Sequence, residues 1–451
     1  MKFELTKEFI SKISDAIAAG NGLFISQSLA EVHPADIAEL LEEFDVDDIK
    51  IIFSELNDEL SSDVLSELED DIREDLLAKL SAKEIAESLE NMDSDDAADV
   101  IQDLEEHRQA EVISEIADFD QATDIVSLLK FEENTAGGLM AKEYIKVHED
   151  WTVGQAIQEM RAQTDEVEHV YTIYVVGEKN VLLGILSLKS ILFAEDETKI
   201  SSIYLRKVRS VKADIQDEEV ASIMDKYDLV VIPVVNNENI LLGRITIDDV
   251  VDVMREEAEK DYQLASGISE KVESSDSVWM LSRARLPWLL IGLVGGLLGA
   301  QVIMSFEDKL GEFPVMASFI PVILAMGGNV GVQSSAIIVQ ALAQNTLGFE
   351  STGKKLLKEL VVALFNGLIC SVLLVGYTMF MHQDIMLAVT LTIAMMSVFI
   401  YAGIFGTMIP LILNRYKIDP ALATGPFITT ANDVFGLLLY FWIGWALYFN
   451  G

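Results

Sequence analysis

The chain has 451 residues, of which 51% are hydrophobic, and a formal net charge of −42. Its 74 acidic residues against 32 basic ones argue against nucleic acid or anionic lipid as the partner of its polar surface, and imply strong self-repulsion or a large load of bound cations. The one cysteine, Cys370, excludes a disulfide framework or a thiolate metal site within a single chain.

The charge is unevenly spread. From residue 281 onward eight basic and eight acidic residues cancel, so the whole excess belongs to residues 1–280, where 24 Lys and Arg meet 66 Asp and Glu. A merely solvated acidic surface is the alternative to a cation load. The opening MKFELTKEFI has mixed polarity and no apolar core follows it, so no cleavable signal peptide is expected.

Two internal repeats organise this acidic half. ADIAELLEEFDVDD (35–48) realigns on KEIAESLENMDSDD (83–96), placing Ile37 on Ile85, Leu41 on Leu89, Asp45 on Asp93 and Asp47 on Asp95. Helical spacing with Asp at the turns predicts stacked helical hairpins in which some Asp residues are N-caps. Further on, IYVVGEKNVLLGILSLKSIL (173–192) realigns on IPVVNNENILLGRITIDDVV (232–251). Each copy reads strand, turn, strand, helix, preceded by an amphipathic helix at 153–160 or 218–227.

The remaining chain reads as membrane. Uncharged runs cover 286–306, 313–349, 360–383, 385–414 and, Asp433 excepted, 421–451, each long enough to cross a hydrocarbon core of about 30 Å. Arg283 and Arg285, then Lys354, Lys355 and Lys358, then Arg415 and Lys417 fall on one side of the five spans, which puts the N-terminal half in the cytoplasm and the C-terminus outside. The second run is too long for one straight helix, and its centre, MGGNVGVQSS, clusters glycines with Asn329 and Gln333. This predicts a broken or kinked helix lining a cavity, with close helix packing as the alternative use of the glycines. Asp433 is the only ionisable residue in ATGPFITTANDVFGLLLYFWIG (423–444). An acid at mid-span costs about 2.5 to 3.5 kcal/mol, so Asp433 is expected to face a wet pore and hold a cation, the alternative being hydrogen bonds to neighbouring helices.

The duplicated unit resembles a tandem pair of CBS modules, and with NTAGGLM (134–140), GGNVGVQSS and TGPFITTANDVFG the whole chain resembles the MgtE family of magnesium channels. The fold class so implied is a multidomain membrane protein: an all-α helical-repeat N-domain (1–133), an α/β tandem CBS domain (134–249), a connecting plug helix (250–280) and an all-α transmembrane pore domain of five helices (281–451). The resemblance implies a homodimeric Mg2+ channel in which Asp433 and its dimer mate hold a largely hydrated Mg2+, with Asn329 and Gln333 beside the path. It also implies closure by cytoplasmic Mg2+ bridging Asp95 and Asp99 of the N-domain, Glu218 and Asp228 of the second CBS module, and Asp249, Asp252, Glu257 and Asp261 at the junction, with Glu59 a looser match.

Two departures qualify these expectations. Lys260 stands where the family usually carries an acid, and would weaken one regulatory site unless it forms a salt bridge that holds the closed state. Some members bind ATP between the CBS modules through a strand-to-helix turn; here that turn offers Thr246 and Asp249 in the second copy, but SLKS with Ser187 in the first. Leu229 stands where an aromatic could stack adenine, and ATP as a cofactor is weakened accordingly. Other readings are a membrane-anchored metal or nucleotide sensor that conducts nothing, and a channel or exchanger for Co2+ or Mn2+; oxygen-only ligands favour hard ions. No nucleophile–base arrangement or P-loop is found, so an enzyme is not expected.

Overall fold

The structure, a computed structural model, describes residues 5–163, 170–272, 277–343, 351–423 and 425–449. It divides into two compact units, Met1–Met254 and Arg255–Gly451, each with its own hydrophobic core.

The first unit opens with short helices from Lys7–Ala18 to Phe119–Leu128. Most start on a residue whose side chain accepts a first-turn N–H: Thr6, Asn21, Asp45, Asn57, Ser81 and Asp118. Such caps satisfy the donors a helix N-terminus leaves open, which matters for helices of only two or three turns. The repeat is realised as the pairs Pro34–Leu41 with Val46–Ser54 and Ala82–Leu89 with Ser94–Gln102; Ile37, Leu41, Ile85 and Leu89 are all fully buried.

Two three-stranded sheets follow. In one, β1 (Ile145–His148) pairs parallel with β2 (Ile173–Val176), which pairs antiparallel with β3 (Leu182–Leu186); in the other, β4 (Val211–Lys212), β5 (Val231–Val235) and β6 (Leu241–Thr246) repeat that order. The register slips at Val175/Val176 and again at Val234/Val235, the same place in both copies, as a duplication requires. Helices Val153–Gln163 and Asp217–Lys226 precede the hairpins where the pattern placed them. After β6 one uninterrupted helix of 19 residues, Ile247–Ala265, carries both the end of the second module and the start of the connecting segment.

The second unit contains five helices long and apolar enough to cross a membrane: Val278–Met304, Pro314–Ala343, Thr352–Met381, Ile385–Arg415 and Pro426–Leu447. The fourth lies against the second, third and fifth, and the first lies against the fifth. The expected break in the second span is not found. Pro314–Ala343 is one helix of 30 residues, and its glycines serve close packing instead. A Cβ on Gly406 of the fourth span would sit 2.4 Å from the Gly331 carbonyl oxygen, and one on Gly327 would sit 2.7 Å from Val398. In a bilayer, where helix association depends on packing rather than on expelling water, such glycines let backbones approach. Residues 344–349 of the same apolar run lie outside the described residues.

Candidate ion path and acidic cavity

In the first unit, helix Ser94–Gln102 buries Asp95 and places Asp96, whose side chain stays exposed, at the same cavity as Asp249 of helix Ile247–Ala265, while the exposed Asp99 lies one turn further along. Asp93, Asp95, Asp96, Asp248, Asp249 and Arg244 are among the residues lining a cavity of about 160 Å³. Oxygen atoms of Asp93, Asp95 and Glu143 lie within 4.8 Å of one another. The local cause is a capping exchange. Asp45 caps its helix by accepting from the Asp48 N–H at 3.1 Å, but its repeat counterpart Asp93 makes no capping bond. Glu143 takes that role from outside the helix, accepting from the Ser94 N–H at 3.2 Å and the Ser94 hydroxyl at 3.0 Å. Asp93 is thereby turned to the cluster, where an Arg244 nitrogen stands 3.5 Å from its Oδ2.

Crowded, poorly solvated carboxylates resist ionisation. Burial, then the neighbouring Asp96, Asp249, Asp93 and Glu143, push Asp95 well above the usual carboxylate range. Burial pushes Asp96 up to about 7, with Asp249 and Asp93 adding to the shift. Asp99 also reaches about 7, through burial and then Asp96 and Glu133. Glu143 is raised by burial and by Asp93. Asp249 is raised by burial against the opposing hydrogen bonds from Thr246. Arg244, beside Asp93 and Asp249, and Arg73, which acts on Asp96 and Asp99, are outnumbered by this set, and an all-oxygen donor group of this charge suits a hard divalent cation.

The other expected regulatory residues are spread more widely. Glu59 is exposed in the first turn of helix Asp58–Ser66 and takes no part in the cavity. Glu218, Asp228 and Asp252 are exposed on the first unit, Asp228 in a left-handed conformation with φ +50°. In the second unit, Asp261 is raised by burial and next by the charge of Asp419, which stands in the loop before the fifth span. Lys260 holds the Glu257 carboxylate at 2.8 Å, one turn back on the same helix. Sequence reasoning passed over Asp93, Asp96, Glu143 and Asp419. Asp93 was visible only as a repeat position and Glu143 stands 49 residues from Ser94, a pairing that no local pattern encodes.

Of the nucleotide candidates, Thr246 donates its backbone N–H and its hydroxyl to Asp249 Oδ2, at 3.0 and 2.7 Å. Ser187 caps helix Leu188–Leu192 by accepting from the Ser190 N–H. A nucleotide would have to displace these bonds.

In the second unit, Asp433 is half-buried in the fifth span, and its carboxylate has no hydrogen bond or ion pair among the described residues. Its neighbour Asn432, 1% exposed, donates to the Gly327 carbonyl at 3.3 Å and lies over Gly331, where a Cβ would collide with its amide at 1.9 Å. Asn432 therefore ties the fifth span to the glycine run of the second, and fixes the turn carrying Asp433. Asn329 and Gln333 lie one helical turn apart on an exposed face of the second span and do not bond to Asp433 among the described residues.

Known protein families match the chain over most of its length. The divalent cation transporter model of the MgtE family matches residues 320–443, its intracellular N-domain model matches 32–134, and the CBS domain model matches 136–197 and 200–256. The magnesium transporter MgtE of Thermus thermophilus is 37% identical over 313 residues, 69% of each chain. That of Bacillus subtilis is 31% identical over 318 residues, 70% of each. Among solved structures, the cytosolic domain of the Mg2+ channel MgtE in complex with ATP aligns at a TM-score of 0.51 and 33% identity, over 54% of this chain and 99% of that one. The soluble part of a magnesium transporter aligns at 0.50 and 27%, over 56% and 99%.

Proposed function

Because the chain belongs to the MgtE family of magnesium transporters, we propose that it is a Mg2+-selective channel of the cell membrane, held closed when cytoplasmic Mg2+ loads its acidic first unit. The observation that carries the reading is Asp433, a carboxylate in a membrane span that no neighbouring helix hydrogen-bonds among the described residues. A structural Asp would be paired; an unpaired one is tolerable beside water and a cation. Mg2+ gives up its waters reluctantly and needs only one or two carboxylates, so Asp433 acts on a hydrated ion by charge rather than by stripping it.

Asn329 and Gln333 favour a path completed by a second copy. Their amides are exposed on a membrane helix, where polar groups facing lipid are costly, and a homodimer with a wet seam would cover them. Asp433 of the partner subunit then stands across the same seam. The basic residues flanking the first, third and fourth spans support a cytoplasmic first unit. There the carboxyls around Asp95 and Asp249 would take Mg2+, whose charge would relieve their mutual repulsion. Asp261 with Asp419 forms a further acidic pair in the second unit for the same ion.

The test is Mg2+ uptake into liposomes carrying purified protein with Asp433→Asn. Loss of the charge that holds the ion should cut uptake at least about tenfold. Uptake equal to the parent would remove the path from this residue.

A further inference from the structure

We propose that Glu359 is a positioning residue for ion passage: through Ser334 it sets the rotation of the second span, and with it the placement of Asn329 and Gln333. This rests on the channel reading of those two amides. Glu359 lies about two turns into the third span, Thr352–Met381, and is half-buried rather than turned to lipid. Its Oε1 stands 2.6 Å from the hydroxyl of Ser334, which is 4% exposed on the second span.

The second and third spans each pack on the fourth. Glu359 bridges them across Gly403 of that fourth span, where a Cβ would stand 3.1 Å from Oε1 and 3.4 Å from Cγ. A side chain at 403 would crowd the carboxyl out of this place. The Ser334 hydroxyl is also 2.8 Å from the Val330 carbonyl one turn earlier. The hydroxyl donates its one proton to the Glu359 carboxylate or shares it with the Val330 carbonyl, so an acceptor oxygen at 359 is what draws Ser334 toward the third span.

Val330 and Ser334 each follow one residue after Asn329 and Gln333, which places them about 100° further round the same helix. A clasp on the first pair therefore fixes the direction of the second. Without it the helix keeps its glycine contacts at Gly327 and Gly331 but loses the polar tie nearest the amides.

The experiment uses full-length protein in liposomes, with chelator on the domain side and uptake normalised to monodisperse protein. Its readout is the Mg2+ concentration giving half-maximal uptake, which lower folding yield alone would not move. Glu359→Ala and Ser334→Ala should each raise it about fivefold, the worth of one buried hydrogen bond, and the double variant should be no worse than either. Glu359→Gln should stay within about twofold of the parent, since its amide oxygen still accepts from the hydroxyl. Glu359→Gln as impaired as Glu359→Ala would mean that the charge acts on the ion itself, and would overturn the proposal. Parental half-saturation in Glu359→Ala would overturn it as well. Asp433→Asn, run in parallel, separates the two ideas: normal uptake there defeats the channel reading, whereas its loss beside a parental Glu359→Ala defeats only the positioning role.

Discussion

Lys260 shows how one side chain can tune a cation site. Its ammonium pairs with Glu257 at 2.8 Å within one exposed helix, and an exposed pair at that spacing contributes little to stability. Its charge also opposes the upward shift of Asp261, so on the proposed reading it competes with Mg2+ for these carboxylates. Lys260→Glu should therefore lower the Mg2+ concentration that closes the channel by about two- to fivefold. A need for more Mg2+ would mean that the ion pair itself holds the closed state. At Asp96 and Asp99 the competing ion is the proton. Both rise from 3.8 to about 7 in the folded unit, so between those values the folded state binds protons that the unfolded chain has released. Because the side chains of Asp96 and Asp99 are exposed and partly screened by water, the effect is small: in chelator, stability falls as pH rises through that window and is greater at pH 6 than at pH 8, by about one degree in melting temperature. Mg2+ replaces the missing protons, so its stabilising effect should be larger at pH 8. An equal Mg2+ effect at both pH values would show that these carboxyls do not meet the ion.

Among elements, the crossing of the second, fourth and fifth spans is the most constrained. Gly406→Ala would set a methyl 2.4 Å from the Gly331 carbonyl oxygen, a backbone atom that no rotamer change can move. The spans must separate, at a cost of about 1 to 3 kcal/mol, and the membrane unit should melt at a lower temperature in detergent. A parental melting curve would show the crossing to be looser than described. This is also where sequence reading and structure part. A helix break was expected at MGGNVGVQSS because the apolar run is long and Asn329 and Gln333 stand among its glycines; inside a bilayer the backbone has no other donor or acceptor, and the helix continues. Apolar run length, by contrast, located all five spans, since crossing a hydrocarbon core is a property of composition alone.

At the scale of the molecule, the whole net charge of −42 sits in residues 1–280. The duplication behind the two sheets was legible because residues 173–192 realign directly on 232–251, and Asp95 and Asp249 were reached through family resemblance. The cavity they share was not legible, because it depends on Glu143 displacing Asp93 from its cap across 49 residues of chain. Mg2+ should compact the full-length protein by screening and bridging these acids, so limited proteolysis between residues 1 and 254 should slow in Mg2+ relative to a monovalent salt of equal ionic strength. Equal cleavage would reduce the acidic surface to solvation. The most direct test of a Mg2+-gated Mg2+ channel is bilayer recording of the purified full-length protein with Mg2+ varied on the side of the N-terminal domains. Unitary Mg2+ currents should appear at low Mg2+ on that side, vanish as it is raised, and be lost in Asp433→Asn. Mg2+ flux without resolvable openings, or openings indifferent to Mg2+ on that side, would contradict it.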